Sequence, residues 1–471
     1  MKLFQPLTIR SMTLPNRLVV PAMVTRLSGE DGFVNNDIRD RYMRFAKGGA
    51  GLVVLEAMAV HGSRSGPLLR LSGDEFMAGL RDLCAGMHDI GPGRVVPQII
   101  HFLKIARSGW RQKVEDLSIA EIHAIPHAYA AAAERSVRCG FDGVELHMAH
   151  AYTLSSFLSR LNRRRDDYGG TLERRLRLPV EVVVAVRAAV GDQYPIGVRF
   201  DGEECIKGGY TVAEAQLIAY RLVRAGVDYV SISAGGKFED AVPRAGEPLY
   251  PYTGYSGDRC MPGKSWPDGA NRYLPAGIKS FLRKQGVAAP VIATGKINTP
   301  ELAEEILGAG DADLIGMARP LLADPDWPRK VQAGRFDKVI RCCYANVCKA
   351  RDERFQTVAC FLWPKGSKQA PDSEDIVPPQ WDRQLAASTQ QGRVSLKWSA
   401  ATDNEGVYGY DIWRAVGGEK FERIDAIPVP VTTYHDTATI KGLAYRYFVQ
   451  AYDLAGNRSE RSFVVEARVE S

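Results

Sequence analysis

DGVELHMAHAY, residues 142–152, is a short apolar run that stops at two histidines and a tyrosine. Its shape repeats along the chain. Comparable β-rich runs are Arg17–Met23, Gly51–Met58, Val95–Ile100, Asp142–Met148 itself, Pro195–Phe200, Tyr229–Ala234, Pro290–Thr294 and Leu314–Arg319. They are continuously apolar rather than alternating, the pattern of parallel strands buried on both faces. The segments between them carry helix signals. Ser118 with Glu121, Thr211 with Glu214, and Thr299 with Pro300 mark N-termini, and Gly226, Gly286 and Gly310 stand where helices should stop. Eight strands alternating with helices predict an α/β fold, a (β/α)8 TIM barrel. The rival, an open doubly wound sheet, lacks a Gly-rich first turn here.

A length of 471 residues suits such a barrel plus an accessory module. From Lys365 to Asp382 the chain turns polar and Pro-rich, a linker pattern. Beyond it VSLKW, YGYDIWRA and YRYFVQAYDLAGN alternate apolar and polar residues, which predicts a small all-β sandwich. The expected domains are a barrel over 1–340, a Cys-rich segment over 341–364, a linker over 365–384 and the sandwich over 385–471. The net charge of +6 is mild and no block of basic residues occurs, so no nucleic acid partner is expected. The first residues show no signal-peptide pattern and no window is apolar enough to span a membrane. The expected compartment is the cytoplasm, with no membrane partner.

Ligands of this fold are gripped at the C-terminal ends of the strands. Gln98 offers a donor and an acceptor, Arg199 a permanent charge, and Gly295 and Arg319 the backbone freedom and the fork that suit a phosphate. His147 and His150 can hold a carbonyl oxygen as enolate-like charge develops, and Tyr152 can protonate the α-carbon. The same histidines could form a metal half-site or be structural. The connection from Gly235 to about Arg272, rich in Tyr, Pro and Gly (Tyr250, Tyr252, Tyr255, Trp266), reads as a lid. Of eight cysteines, Cys84, Cys139, Cys205 and Cys260 read as small buried residues. Cys342, Cys343, Cys348 and Cys360 gather in one stretch, favouring a metal or iron–sulfur site over disulfides.

The segment HMAHAYTLSSFLSRLNRRRDDYGGTLERRLRL, residues 147–178, resembles the H-x-A-H/N-G-Y-L…FLSP…N-R-x-D-x-YGG…E-N-R motif of the old yellow enzyme family. PLTIRSMTLPNRLVVPAM, GGAGLVVLEAMAV, VPQIIH and TGKI…ADLIGMARPLLADPDW match in order, so the resemblance spans about residues 3–335. It implies FMN contacted by Ala22, Met23, Ala57, Gln98, Arg199, Gly295, Ala318 and Arg319, with NAD(P)H as electron donor. His147 and His150 would bind substrate and Tyr152 would donate the proton. The sequence departs from the motif at Val24, where the family often has Thr or Cys, at Lys104, and at Ala151, where it has Gly.

The end of the barrel is similar to the branch of 2,4-dienoyl-CoA reductase and trimethylamine dehydrogenase, whose C-x2-C-x2,3-C-x11,12-C run binds a 4Fe–4S cluster. RCCYANVC and Cys360 follow that spacing, except that Ala345 takes one cysteine's place and Cys343 is the local substitute. An intact cluster and a decayed site with free thiols both stay open. The branch's FAD-binding half does not follow; the C-terminal module resembles a fibronectin type III domain, with Tyr445 as a candidate tyrosine corner. The resemblance implies an ene-reductase acting on an enone or acyl thioester. The alternatives are an amine dehydrogenase, weakened by His147 where that branch has Tyr, and a flavin electron-transfer protein. A redox partner protein could deliver electrons, and the module is expected to serve docking or a homo-oligomer.

Overall fold

Each of the eight apolar runs contains a strand in the computed structural model, which describes residues 1–63, 66–103, 112–237, 255–364, 367–371, 377–390, 392–404, 406–453 and 457–469. Lys104, Tyr250 and Tyr252 lie outside them, as does the lid between 238 and 254. The barrel strands are β3 (Leu18–Val20), β4 (Leu52–Ala59), β5 (Arg94–Ile100), β6 (Val144–Met148), β7 (Ile196–Asp201), β8 (Tyr229–Ser233), β9 (Val291–Ala293) and β10 (Leu314–Gly316). All pair in parallel and β10 returns to β3, so the sheet closes. Continuous burial explains the continuous hydrophobicity: every residue of β4 and β6 is buried.

The register places the functional side chains. Gln98 pairs with Glu145, His147 with Arg199, and Arg199 with Ser231. Neighbouring strands thus carry these groups at matched heights near the C-terminal end of the barrel.

A hairpin precedes the barrel: β1 (Leu7–Ile9) pairs antiparallel with β2 (Met12–Leu14). Its Ile9, Met12 and Leu14 pack with Val19, Leu52, Val96, Tyr229, Ile292 and Leu314. Each such buried side chain contributes about 1.5–3 kcal/mol. The hairpin was absent from the sequence reading.

The helix signals hold with one difference. Ser118 and Glu121 form a full capping box, and the Thr299 side chain accepts from Leu302. Thr211 starts its helix without a side-chain cap. Gly310 ends its helix in the left-handed region, as only glycine does cheaply.

The chain divides into compact units at 1–359 and 360–471. The division cuts the Cys-rich segment. Its helix Val347–Glu353 belongs to the barrel unit, where Asp352 pairs with Arg26 at 2.8 Å and the Val358 N–H donates to Thr25 O. In the second unit β11 (Leu385–Gln390), β12 (Arg393–Trp398) and β15 (Thr433–Asp436) form one antiparallel sheet. The strands β13 (Val407–Val416), β14 (Glu422–Pro428), β16 (Ala444–Asp453) and β17 (Val465–Arg468) form another, in the order β14-β13-β16-β17. Their core includes Trp398, Tyr410, Ile412, Tyr445, Tyr447 and Val449. The Ile440 N–H donates to the Tyr445 hydroxyl at 2.7 Å.

Candidate active site

A cavity of about 570 Å³ opens at the C-terminal ends of the barrel strands, within the range of small-molecule sites. Ala22, Met23, Ala57, Gln98, His147, His150, Tyr152, Arg199, Gly295, Ala318 and Arg319 all line it. The structure therefore brings together every residue that the sequence assigned to substrate or flavin. They arrive from the ends of different strands, which is how a barrel builds a site.

On the floor, Gln98 is held by its side-chain amide, which donates to Glu145 Oε1 at 2.7 Å. Glu145 is buried, and burial raises its pKa. The buried carboxyl thus fixes which way the Gln98 amide faces. Arg199 donates to the hydroxyls of Ser231 (2.9 Å) and Ser233 (3.4 Å).

One wall carries the imidazoles. His147 Nδ1 accepts the Ala149 N–H at 3.3 Å, so a neutral ring keeps its proton on Nε2 and has a donor to offer. His150 Nε2 meets Ser233 Oγ at 2.7 Å, and its backbone N–H donates to buried Asp201 at 2.8 Å. The two rings meet edge to face at 5.2 Å, and the Tyr152 ring lies 5.0 Å from His147. Burial, then the charges of Arg199 and Lys237, pulls His147 down to about 3. Burial, then His147, Arg199 and Lys237, pulls His150 well below the usual imidazole value. Both shifts favour neutral imidazoles in the site. His150 and Ala151 both adopt φ near +62°. Ala151 therefore holds, at some steric cost, a left-handed turn that a glycine would adopt freely.

Beside Tyr152 the lining turns apolar: Ala57, Ala59, Leu68, Ile100 and Phe102 form a buried cluster against which Val24 and Tyr152 pack. Val24 lines the cavity, whereas Thr25 is buried with its N–H donated to Glu56, so Thr25 does not replace the polar group that Val24 lacks.

At the far rim Gly295 (φ +115°) and Lys296 (φ +58°) curl the backbone after β9. Arg319, in the helix Ala318–Ala323 after β10, donates to Pro262 O (2.8 Å) and Asn346 Oδ1 (2.6 Å) and lies 4.6 Å over the Tyr344 ring. The Gln98 amide and Arg199 guanidinium, with the Arg319 guanidinium and the curled backbone after β9, make a donor set that would suit the pyrimidine edge and the phosphate of FMN.

The cysteines fare differently. Cys348 lines the cavity, the Cys342 thiol accepts the Tyr344 N–H at 3.4 Å, Cys343 is exposed, and Cys360 belongs to the second unit. Among the described residues no group of three or more His, Cys, Asp or Glu side chains is placed to hold a metal. This arrangement does not fit the four thiolate ligands of a cluster. Cys84, Cys139 and Cys205 are buried as expected, while Cys260 is only partly buried and lines the cavity. The sequence reading passed over Glu145, Ser231, Ser233 and Lys237. Lys237 stands four residues after the β8 end, and only the structure shows that it meets Tyr152.

Residues 2–102 and 104–338 match the profile of the NADH:flavin oxidoreductase / NADH oxidase family. The chain is 32% identical over 440 residues to an NADH oxidase of Thermoanaerobacter brockii, covering 88% of this chain and 64% of that protein. It is 28% identical over 403 residues to a cinnamate reductase of Clostridium sporogenes, covering 77% of this chain and 56% of the relative. The structure of a 2-naphthoyl-CoA reductase bound to 2-naphthoyl-CoA superposes with a TM-score of 0.68 at 25% identity, over 80% of this chain and 59% of that one. The chain thus spans less than two thirds of the length of each of these relatives.

Proposed function

The chain belongs to the NADH:flavin oxidoreductase / NADH oxidase family, and on that premise we propose that it is an FMN-dependent ene-reductase of α,β-unsaturated carbonyl compounds, enoyl thioesters included. The carrying observation is the His147, His150 and Tyr152 constellation in the cavity, with an apolar cluster adjoining it at Tyr152. Relatives named for cinnamate and 2-naphthoyl-CoA reduction support the same class of chemistry.

Gln98, Arg199, Gly295, Ala318 and Arg319 would hold the flavin, and Ala22, Met23 and Ala57 would pack against it. When bound and reduced by NAD(P)H, the flavin supplies hydride for the β-carbon. The protein does the rest. The neutral imidazoles of His147 and His150 donate to the carbonyl oxygen, where negative charge grows as the double bond is lost. Tyr152 gives its phenolic proton to the α-carbon, leaving a saturated C–C bond and a phenolate that water reprotonates. The apolar cluster keeps bulk water from the reacting atoms.

An amine dehydrogenase would need a group that receives a cationic amine; the neutral pair at His147 and His150, beside Lys237, favours an electron-rich oxygen instead. Direct loading by NAD(P)H is our reading of electron supply, supported by the poor fit of the cysteines to a cluster. The cytoplasm is our reading of the compartment, supported by eight free thiols; among the described residues no helix is long and apolar enough to cross a membrane. We read the second unit as fibronectin type III-like, supported by its two sheets and the Tyr445 contact, and assign it docking or self-association.

Anaerobic half-reactions test the proposal. Flavin-loaded protein reduced with NAD(P)H should be reoxidised by cyclohexenone and not formed by a tertiary amine. Tyr152→Phe should slow the alkene step by about 10²-fold or more and spare flavin reduction. Equal loss of both half-reactions would remove Tyr152 from its role.

A further inference from the structure

We propose that Lys237 is a positioning residue for Tyr152: its ammonium fixes the phenol oxygen and stabilises the charge left there when the proton departs. The inference rests on the ene-reduction reading above and assigns a group that reading does not use.

The contact is direct. Lys237 Nζ donates to the Tyr152 hydroxyl at 3.1 Å and lies 4.9 Å from the centre of its ring. A phenol oxygen that accepts from an ammonium keeps its own hydrogen for another partner, and Tyr152 lines the cavity where the α-carbon would lie. On transfer the Tyr152 O–H bond breaks and the Cα–H bond forms. The electron pair of the old bond stays on oxygen as phenolate, 3.1 Å from a positive charge. Water returns the proton afterwards. The ammonium's attraction for this oxygen grows when the oxygen becomes an anion, so the contact favours the transferred state over the resting one.

The backbone is built to hold Lys237 there. Gly235 adopts φ +61°, and a Cβ at this position would meet Ser256 O at 2.1 Å. At Gly236 a Cβ would lie 2.4 Å from His150 Cα, because Gly236 bridges to His150 as a strand-like pair. The Lys237 N–H donates to His150 O at 3.4 Å, and Ser256 Oγ accepts the Gly236 N–H at 3.0 Å. Gly235 therefore lets the chain press against Ser256 and Gly236 lets it press against the backbone of His150, and Lys237 is the first side chain after that contact. Its charge also reaches both imidazoles and helps to hold them neutral.

The test uses the full flavin-loaded chain as wild type, Lys237→Met, Lys237→Arg, Tyr152→Phe and the Tyr152→Phe/Lys237→Met double variant. Rapid anaerobic mixing of reduced protein with cyclohexenone gives the limiting rate and the half-saturation concentration. Tyrosine labelled with carbon-13 at Cζ gives a second readout, the Tyr152 resonance being the one lost in Tyr152→Phe. We expect Lys237→Met to lower the limiting rate by about 10- to 100-fold, a part of what a general acid supplies, with half-saturation unchanged. Lys237→Arg should recover most of that loss, and the Tyr152 resonance should move in Lys237→Met and return toward its place in Lys237→Arg. The double variant should be no slower than Tyr152→Phe alone. Losses that multiply in the double variant, or a resonance that stays put, would overturn the assignment while leaving the ene-reductase reading intact. A wild type that accepts hydride from NAD(P)H but reduces no alkene would overturn the reading and this role with it.

Discussion

At the scale of single residues the site depends on proton inventory. His147 and His150 are useful because burial and neighbouring cations keep them uncharged, each with one N–H to give. The same depression has a cost in acid. The folded protein resists protonating His147 until about pH 3, whereas the unfolded chain takes the proton near 6.5. The stability tied to the neutral ring is thus complete above pH 6.5 and is lost as pH falls toward 3. His101, pulled to about 3 by burial and by His61, adds to the slope in the same direction. Urea midpoints measured downward from pH 7 should fall steadily, while the alkene step should show no break from the imidazoles between pH 5 and 8. Replacing His147 with Ala removes one donor to the developing oxyanion and should lower kcat/KM for an enone by about 10²- to 10³-fold, read by steady-state kinetics. These roles were legible because His147, His150 and Tyr152 sit at a strand end within six residues of sequence. Lys237 was not, since nothing in Gly-Gly-Lys tells that Gly236 lies against His150.

Among elements, the barrel strands could be read because burial on both faces leaves an unbroken apolar signal, as in β4 and β6. Where that signal failed, length was the cause. The hairpin strands β1 and β2 have three residues each, too few to show a period. The run Leu314–Arg319 overshot because β10 stops at Gly316 and the chain turns at once into the helix Ala318–Ala323. Buried acids were silent too: Glu145 and Glu56 look like interruptions in apolar strands until the register shows what faces them. Glu56 joins three elements, accepting the Thr25 N–H after β3 at 2.9 Å and the hydroxyl of Tyr42, which lies in the helix Asn36–Lys47. Among the described residues its second oxygen has no hydrogen-bond partner, and burial raises its pKa from 4.5 to about 7. A folded-state pKa raised this way gives stability that is full below pH 4.5 and lost as pH climbs through 7. Glu56→Gln removes a term that opposes the histidine slope, so the urea midpoint should fall more steeply from pH 7.5 to 5 than in wild type; a slope unchanged from wild type would mean that Glu56 ionises freely in the folded protein.

For the molecule as a whole, every residue that lines the cavity lies within 1–359, the barrel unit. A chain ending at Ala359 should therefore bind FMN within about twofold of the full chain, a difference of well under 1 kcal/mol, measured by fluorescence titration. The expected boundary at 340 would remove the helix Val347–Glu353 and with it Cys348, Lys349, Asp352 and Glu353 from the cavity wall. Such a shorter chain should bind FMN more weakly. The sandwich was readable from its alternation, but the compact division between Ala359 and Cys360 was not, because the segment after the barrel has no apolar period to betray how it packs. The account stands most directly on one anaerobic spectrum. The full chain, mixed with FMN and passed through a desalting column, should carry one flavin per chain that NAD(P)H bleaches and cyclohexenone recolours. Folded protein that emerges colourless from an excess of FMN would contradict it.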